Sequence, residues 1–295
     1  MLNTLPMPSF YDTHAHLDYP DFQSDFPQII ERAQAAGITK MISIGTDLDS
    51  SRRAIQLAEQ HPSIYAVAGW HPNDALAVPD DLRPALRELA KHPKVVAIGE
   101  TGLDYYRLPS KSGAHGVVRP TTAAPVGRAV PSAPSAEDER VKQRQADIFR
   151  QQLEVAAETG LNVVIHQRGD CFEDTLKIFA PFASKVRGVF HCFASDAATM
   201  QRVLSLGSII SFTGILTFKN GQNVRDTLAA TPLGDFMLET DCPFLAPIPY
   251  RGKRCEPAYV KEISETATQV KGCTLEELSR ATCDCAHRFF PKLRT

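Results

Sequence analysis

Hydrophobic and polar positions along the chain follow two alternating patterns. Short runs rich in β-branched residues, at 10–12, 41–44, 64–69, 95–99, 162–165, 186–190, 208–212 and 236–238, are typical of strands. Stretches with the apolar spacing of amphipathic helices lie between them, at 25–36, 50–60, 82–91, 138–159, 172–183, 196–206 and 223–230, and two more close the chain at 257–270 and 275–289. The pattern therefore predicts eight strands, each followed by a helix.

This alternation indicates an α/β fold with an eight-stranded parallel sheet. Strands that are apolar on both faces are typical of a parallel sheet covered by helices. No Gly-x-Gly-x-x-Gly turn follows the first strand, which argues against a doubly wound dinucleotide fold. We therefore expect a (β/α)8 TIM barrel that forms one domain over residues 1–295.

The composition changes abruptly after the fourth predicted strand. Residues 107–136 contain five prolines, three glycines and the cations Arg107, Lys111, Arg119 and Arg128, but no acidic residue. Such a segment cannot bury a core. We predict a flexible, proline-rich basic loop that is inserted into the barrel after strand 4.

Overall composition limits the partners. A hydrophobic content of 43% and a net charge of −2 are typical of a globular enzyme without global attraction to polyanions. The seven cysteines, all at or beyond Cys171, do not form the pattern of a disulfide framework, which favours a reducing compartment. The sequence has neither a signal-peptide pattern nor an apolar run of about 18 residues. We expect a soluble cytoplasmic monomer that has no membrane partner.

Polar residues recur at the carboxyl ends of the predicted strands, where TIM barrels hold their active sites. The groups that could bind a metal there are His14, His16, His71, Glu100, His166, His191 and Asp241. A single histidine at a strand end serves equally well as a hydrogen-bonded cap. The recurrence at five or six different strands is what indicates a metal site. His14 and His16, separated by one residue, would face the same way along a strand.

Four histidines and two carboxylates are enough for two metals if one carboxylate is shared. Glu100 could bridge through its two oxygens, and Asp241 could bind one metal and also act as the general base. Two metals about 3.5–4 Å apart can stabilise the attacking and leaving oxygens of a displacement at phosphorus.

His71 and Arg168 are then left for the substrate. Arg168 could hold a phosphate oxygen or form a structural ion pair at the rim. The run 249–254 adds Arg251 and Lys253 at the same face, either as a local basic rim for a phosphodiester or as a solvated loop. Tyr105 and Phe193 could stack on bases or simply pack.

The motifs as a set resemble the TatD-type metal-dependent deoxyribonucleases of the amidohydrolase-like superfamily. The resemblance covers nearly the whole chain and rests on Asp12-Thr13-His14-Ala15-His16-Leu17-Asp18, Gly69-Trp70-His71-Pro72, Gly99-Glu100-Thr101-Gly102-Leu103-Asp104-Tyr105-Tyr106, Gln145-x3-Phe149-x2-Gln152-Leu153, His166-x-Arg168, His191-Cys192-Phe193, Glu239-Thr240-Asp241-Cys242-Pro243-Phe244-Leu245 and Arg251-Gly252-Lys253. It departs from the family pattern at Thr101, where isoleucine is usual, and at Cys255 and Cys285, where asparagine is common.

The resemblance implies a divalent-metal phosphodiesterase that acts on DNA, commonly from the 3′ end, with Mg²⁺ as the usual metal. RNA is an alternative partner to DNA. It implies that His14, His16 and Asp241 bind one metal, that His166 and His191 bind the second, and that Glu100 bridges. By the same resemblance, His71 and Arg168 contact the scissile phosphate.

The ligand chemistry and the reaction leave alternatives open. Four imidazoles favour Zn²⁺ or Mn²⁺ over Mg²⁺, so we expect tight zinc binding even where Mg²⁺ or Mn²⁺ supports turnover. A hydrolase of small cyclic amides, esters or lactones would use the same metals, but it usually carries a carboxylated lysine where this chain has Glu100. A non-enzymatic DNA-binding protein would have no need of a complete ligand set.

Overall fold

The computed structural model describes residues 8–112 and 135–293. Its eight strands are Phe10–Ala15 (β1), Ile38–Ile44 (β2), Ile64–Ala68 (β3), Val95–Asp104 (β4), Asn162–Arg168 (β5), Gly188–Phe190 (β6), Ile209–Phe212 (β7) and Phe236–Leu238 (β8). They form one sheet in the order β1 to β8, and each neighbouring pair is parallel. The predicted TIM barrel is confirmed.

The first and last strands meet only near their carboxyl ends, so that the barrel is nearly closed. The Asp241 amide donates to the His14 carbonyl at 2.9 Å, and the His16 amide donates to the Cys242 carbonyl at 2.8 Å. The Thr240 amide donates to Asp12 Oδ1 at 2.9 Å. These hydrogen bonds join β1 to the chain that leaves β8, at the end of the barrel where the predicted ligands lie.

Helices follow the strands as the hydrophobic pattern predicts. They are Phe26–Ala35 (α1), Leu48–Gln60 (α2), Arg83–Ala90 (α3), Pro109–Ser112 (α4), Ala136–Thr159 (α5), Phe172–Phe179 (α6), Ala197–Ser205 (α7), Gln222–Ala230 (α8), Val260–Lys271 (α9) and Leu275–Phe289 (α10). Across the described ranges, none of these helices has the length and apolar character needed to cross a membrane.

The last helix, α10, covers the end of the barrel that is opposite the site. Phe289 and Phe290 pack with inward-facing strand residues such as Val67 and Val164 in one buried cluster. The side-chain amide of Asn162, at the start of β5, donates to the Phe289 carbonyl at 2.5 Å. Because α10 fills the amino-terminal end, the opposite end is the one that is left for ligands.

Strands 4 and 5 are longer than the hydrophobic pattern predicts. Glu100 was expected just beyond a strand that ends at Gly99, yet β4 continues to Asp104, and β5 continues to Arg168. The polar ends stay extended because they pair with each other, from Thr101 opposite Ile165 onward. Propensity alone gives no strand signal in this glycine-containing polar run.

The proline-rich loop predicted over 107–136 lies mostly outside the described residues. Within that range the structure describes only residues 107–112, which include α4, and residues 135–136, where α5 begins. The Ser135 side chain caps α5 by accepting from the Asp138 amide at 3.0 Å.

Two buried glutamines of α5 hold the backbone of the strand ends. Gln152 accepts from the Trp70 amide and donates to the Trp70 carbonyl, both at 2.9 Å, and also donates to Thr101 Oγ1 at 2.6 Å. Two helical turns earlier, Gln145 accepts from the Asp104 amide at 3.0 Å and donates to the Asp104 carbonyl at 3.2 Å. The glutamine spacing in the sequence motif therefore serves to fix β4 and the segment after β3.

Replacing Gln152 with leucine should lower the free energy of unfolding by about 3 kcal/mol, because buried backbone groups of Trp70 and the Thr101 hydroxyl lose their partners. Urea denaturation followed by circular dichroism measures this change. Gln143→Leu, on the exposed face of the same helix, is the matched control and should change stability by no more than about 0.5 kcal/mol. Equal effects of the two substitutions would contradict the role given to Gln152.

Candidate metal centre

The first group of predicted ligands lies where β1 meets the end of β8. His14 is the fifth residue of β1 and His16 follows the strand, so their side chains project to the same side. Asp241 Oδ1 lies 3.6 Å from His14 Nε2 and 3.3 Å from His16 Nε2. The backbone hydrogen bonds that close the barrel thus bring Asp241, which follows the last strand, next to His14 and His16, which lie at the end of the first strand.

Glu100 lies at the middle of the predicted ligands. Its Oε1 atom is 2.8 Å from His166 Nδ1, 2.7 Å from His191 Nε2 and 3.4 Å from His71 Nε2. Its Oε2 atom is 3.4 Å from His14 Nε2. One carboxylate therefore contacts imidazoles from four other strands or strand ends.

The donor atoms have the arrangement of metal ligands. Three overlapping sets have ligand atoms that all lie within 4.8 Å of one another: His14–His16–Asp241, His14–Glu100–His191 and His71–Glu100–His166. Several buried atoms of these residues have no hydrogen-bond partner, including both ring nitrogens of His14 and Glu100 Oε2. Because an unsatisfied buried polar atom typically costs about 1–3 kcal/mol, these atoms fit cations better than a packed core.

The electrostatics of the centre favour a deprotonated carboxylate among imidazoles. Burial acts to raise the pKa of Glu100, but the neighbouring imidazoles, led by His191, hold it well below its usual range. Burial acts to lower the pKa of His191, but the charges of Glu100 and Glu239 and their hydrogen bonds to the ring together raise it well above its ordinary value. Since metal ligands must be unprotonated, binding of cations here would release protons.

Two glycines allow the strands to approach closely enough for this convergence. A Cβ atom on Gly102, whose φ is +134°, would lie 2.1 Å from the His166 carbonyl oxygen. A Cβ atom on Gly69 would lie 2.3 Å from the Gly99 carbonyl oxygen. Any larger residue would push β3, β4 and β5 apart and separate the candidate ligands that they carry.

Sequence reasoning did not single out two carboxylates that contact the histidines predicted as ligands. Asp104 Oδ2 lies 3.3 Å from His166 Nε2, while its Oδ1 accepts from the Tyr106 amide at 2.9 Å. Glu239 Oε1 lies 3.6 Å from His191 Nδ1 and accepts from the Cys192 amide at 2.7 Å. Carboxylates behind metal-binding histidines fix the ring orientation. The signal available in the sequence was their position: Asp104 lies four residues after Glu100, and Glu239 lies two residues before Asp241.

His71, which the resemblance assigns to the scissile phosphate, lies within contact distance of the predicted metal ligands. Its Nε2 atom is 3.2 Å from His166 Nδ1, and its Nδ1 atom accepts from the Asn73 amide at 3.1 Å. Burial lowers the pKa of His71, which favours the neutral ring. His71 can therefore serve either as a ligand or as the phosphate contact that the sequence suggested, and the latter stays a prediction.

Arg168 is exposed at the end of β5, and its guanidinium lies 4.4 Å from the ring centroid of Tyr106. Within the described ranges it forms no ion pair with a carboxylate, so the alternative of a structural rim salt bridge finds no support there. Arg168 and His191 both line a cavity of about 200 Å³ between β5 and β6. A guanidinium without a carboxylate partner, beside a histidine predicted as a ligand, is suited to an anionic group.

The cations after β8 divide into two kinds. Arg254 has a structural role, since its Nη2 atom lies 2.7 Å from Asp25 Oδ2 and helps to lower the pKa of Asp25 to about 2. Arg251 and Lys253 are exposed and have no carboxylate within ion-pair distance in the part of the chain that the structure describes. The Arg251 guanidinium instead lies 3.9 Å from the ring centroid of Phe218.

The two aromatic residues singled out in the sequence pack rather than face solvent. Tyr105 is 7% exposed and donates to Asp174 Oδ2 at 2.9 Å, and Phe193 is 4% exposed. Among the described residues, the aromatic side chains that are largely exposed at this end of the barrel are Tyr106, at 41%, and Phe244, at 50%.

Comparison with known proteins agrees with this geometry. Residues 11–291 match the family model described as TatD related DNase. The chain is 35% identical over 281 residues to the uncharacterised metal-dependent hydrolase YabD of Bacillus subtilis, with 95% of this chain and 98% of that protein covered. It is 32% identical over 278 residues to the 3′-5′ ssDNA/RNA exonuclease TatD of Enterobacter lignolyticus, with 92% and 95% covered.

A solved structure supports the fold. The TatD homologue YjjV of Escherichia coli K12 superposes with a TM-score of 0.80 at 24% identity, and the match covers 96% of this chain and 98% of that one.

Proposed function

The chain belongs to the family of TatD-related deoxyribonucleases, which are metal-dependent hydrolases, and from that premise we propose that it is a two-metal phosphodiesterase that removes nucleotides from the 3′ end of single-stranded DNA. The convergence on Glu100 of imidazoles from four other strands or strand ends carries the proposal. RNA ends are a second substrate, since the Enterobacter lignolyticus relative bears the name of an ssDNA/RNA exonuclease.

The residues divide into two ligand groups that share Glu100. His14, His16 and Asp241 would hold one cation, and His166 and His191 would hold the other. When bound, two divalent cations make water a nucleophile near neutral pH and offset negative charge at phosphorus. We expect Mg²⁺ or Mn²⁺ in turnover and tight binding of Zn²⁺, because the ligand set is rich in imidazole.

Asp241 is the residue best suited to accept the proton of the attacking water. Burial acts to raise its pKa, but the hydrogen bond with His16 and the neighbouring imidazole charges hold it below the usual range of an aspartate. Asp241 is therefore ionised at neutral pH, and 15% of its side chain stays exposed toward the opening of the barrel. It can orient a water molecule and take its proton.

The uncompensated cations would bind the substrate backbone. Arg168 and His71 lie beside the ligands and would contact the scissile phosphate, while Arg251 and Lys253 would contact neighbouring phosphates. Since the net charge of the chain is −2, attraction to a polyanion has to come from these basic side chains and from the bound metal ions.

The cysteines bear on the location of the protein. All seven are free, which is consistent with a cytoplasmic location.

The metal-loaded protein should shorten a 5′-labelled single-stranded oligonucleotide stepwise when Mg²⁺ or Mn²⁺ is present, and EDTA should stop the reaction until the metal is restored. Denaturing gel electrophoresis resolves the ladder. Loss of the label in the first step would indicate the opposite polarity. An oligonucleotide that stays intact with every divalent metal, together with rapid hydrolysis of a dihydropyrimidine or a lactone, would favour the small-substrate hydrolase instead.

A further inference from the structure

Phe244 is a large apolar side chain that stands in solvent beside the metal centre. The fifteen phenylalanines all lie in the described ranges, and Phe244 is the only one of them that is largely exposed, at 50%. Its ring centroid lies 6.1 Å from those of His16 and Tyr19, in edge-to-face geometry with both. The exposed ring therefore adjoins one of the ligands of the first proposed metal.

The backbone holds this ring in a fixed place. The Phe244 amide donates to the Asp241 carbonyl at 3.0 Å, which ties the ring to a second ligand three residues away. Its neighbour Pro243 accepts from the Cys255 amide at 3.0 Å, and the Ile248 amide donates to Thr217 Oγ1 at 2.9 Å. Because both sides of the segment are anchored, the exposure of Phe244 is a property of the folded state and not of a loose loop.

The charge around the ring suits a strand of nucleic acid. Arg251 and Lys253 lie on the same segment, are exposed, and have no carboxylate partner in the described part of the chain. Aromatic rings interleaved with unpaired cations are the composition by which proteins hold single strands: the cations follow the phosphates and the rings stack on bases of any sequence.

We propose that Phe244 is the stacking platform for the base of the nucleotide whose phosphate lies at the metal centre. The inference rests on the proposed function and makes it more specific. A base can lie on the Phe244 ring only when it has left its neighbour in a duplex, so the enzyme selects unpaired ends. Phe244 thus acts as a positioning residue: it orients the terminal nucleotide, while Glu100 and Asp241 serve the chemistry.

The test compares two single-stranded oligonucleotides that differ only in whether the 3′-terminal residue carries adenine or an abasic tetrahydrofuran. With the metal-loaded wild-type chain, kcat/KM should be larger for the base-bearing end by about 5- to 150-fold, the range that stacking of one base supplies. Phe244→Ala should bring this ratio close to one, and Phe244→Trp should restore it.

The control is Leu233→Ala, which truncates another exposed apolar residue, 44% exposed, between α8 and β8 at the other end of the barrel. It should leave the ratio as in the wild type. If Phe244→Ala lowers kcat/KM by the same factor for both oligonucleotides, the stacking role is wrong, whereas the proposed function is unaffected. If the wild-type chain cleaves neither oligonucleotide with any metal, the proposed function fails, and the inference fails with it.

Discussion

Replacing Glu100 with glutamine should lower kcat for phosphodiester hydrolysis by roughly three powers of ten or more, the scale on which the loss of one member of a catalytic constellation acts. The amide keeps the size of the side chain but removes the negative charge that His166, His191 and His14 surround. Because both proposed ligand groups would share this carboxylate, the bound metal should fall as well. Metal analysis of the purified variant and single-turnover rates measure the two effects.

Two controls separate this effect from a general loss of structure. Glu88→Gln changes an exposed glutamate of α3 that pairs with Lys91, and it should keep wild-type activity and metal content. Circular dichroism should give the same secondary structure for both variants. If Glu100→Gln retains more than a tenth of the activity, Glu100 does not bridge the metals.

Asp241→Asn should lower kcat by about 10²–10⁴-fold, the usual contribution of general acid–base catalysis. Asparagine cannot take up a proton near neutral pH, although its carbonyl oxygen still reaches toward His14 and His16. We therefore expect a larger loss in kcat than in metal content, with the His166–His191 group fully loaded. Metal stoichiometry measured beside steady-state kinetics distinguishes the two roles of Asp241.

The matched substitution for Asp241 is Asp226→Asn, at an exposed position of α8. It should leave both the rate and the metal content as in the wild type. If Asp241→Asn loses all its metal and the rate falls only in proportion, Asp241 is a ligand and another group accepts the proton.

We expect the buried ligand residues and the exposed basic residues to differ in their tolerance to substitution. The proposed ligand groups share one buried carboxylate, so a substitution there should affect both proposed cations together. The proposed substrate contacts Arg168, Arg251 and Lys253 are exposed and separate from one another, so their substitutions should weaken binding in small, nearly additive steps. The proposed exonuclease would need this combination of a rigid centre and sequence-independent contacts to the phosphates.

Local pattern was sufficient to determine the barrel and to select most of the candidate ligands. The spacing of apolar residues follows directly from strand and helix geometry, so the eight alternations could be counted from the sequence. The topology of a parallel barrel then places every strand's carboxyl end at one face, which is why His14, His166, His191 and Asp241 could be selected without coordinates.

Only the tertiary structure decided which of these groups touch one another and what stands behind them. The extension of β4 to Asp104, the carboxylates that orient His166 and His191, and the burial of Tyr105 all depend on neighbours that are distant in sequence. The sequence by itself determined which side chains arrive at the face of the barrel. Their contacts, their ionisation and the exposure of Phe244 were decided by packing between strands, because burial and charge are set by atoms that local pattern does not bring together.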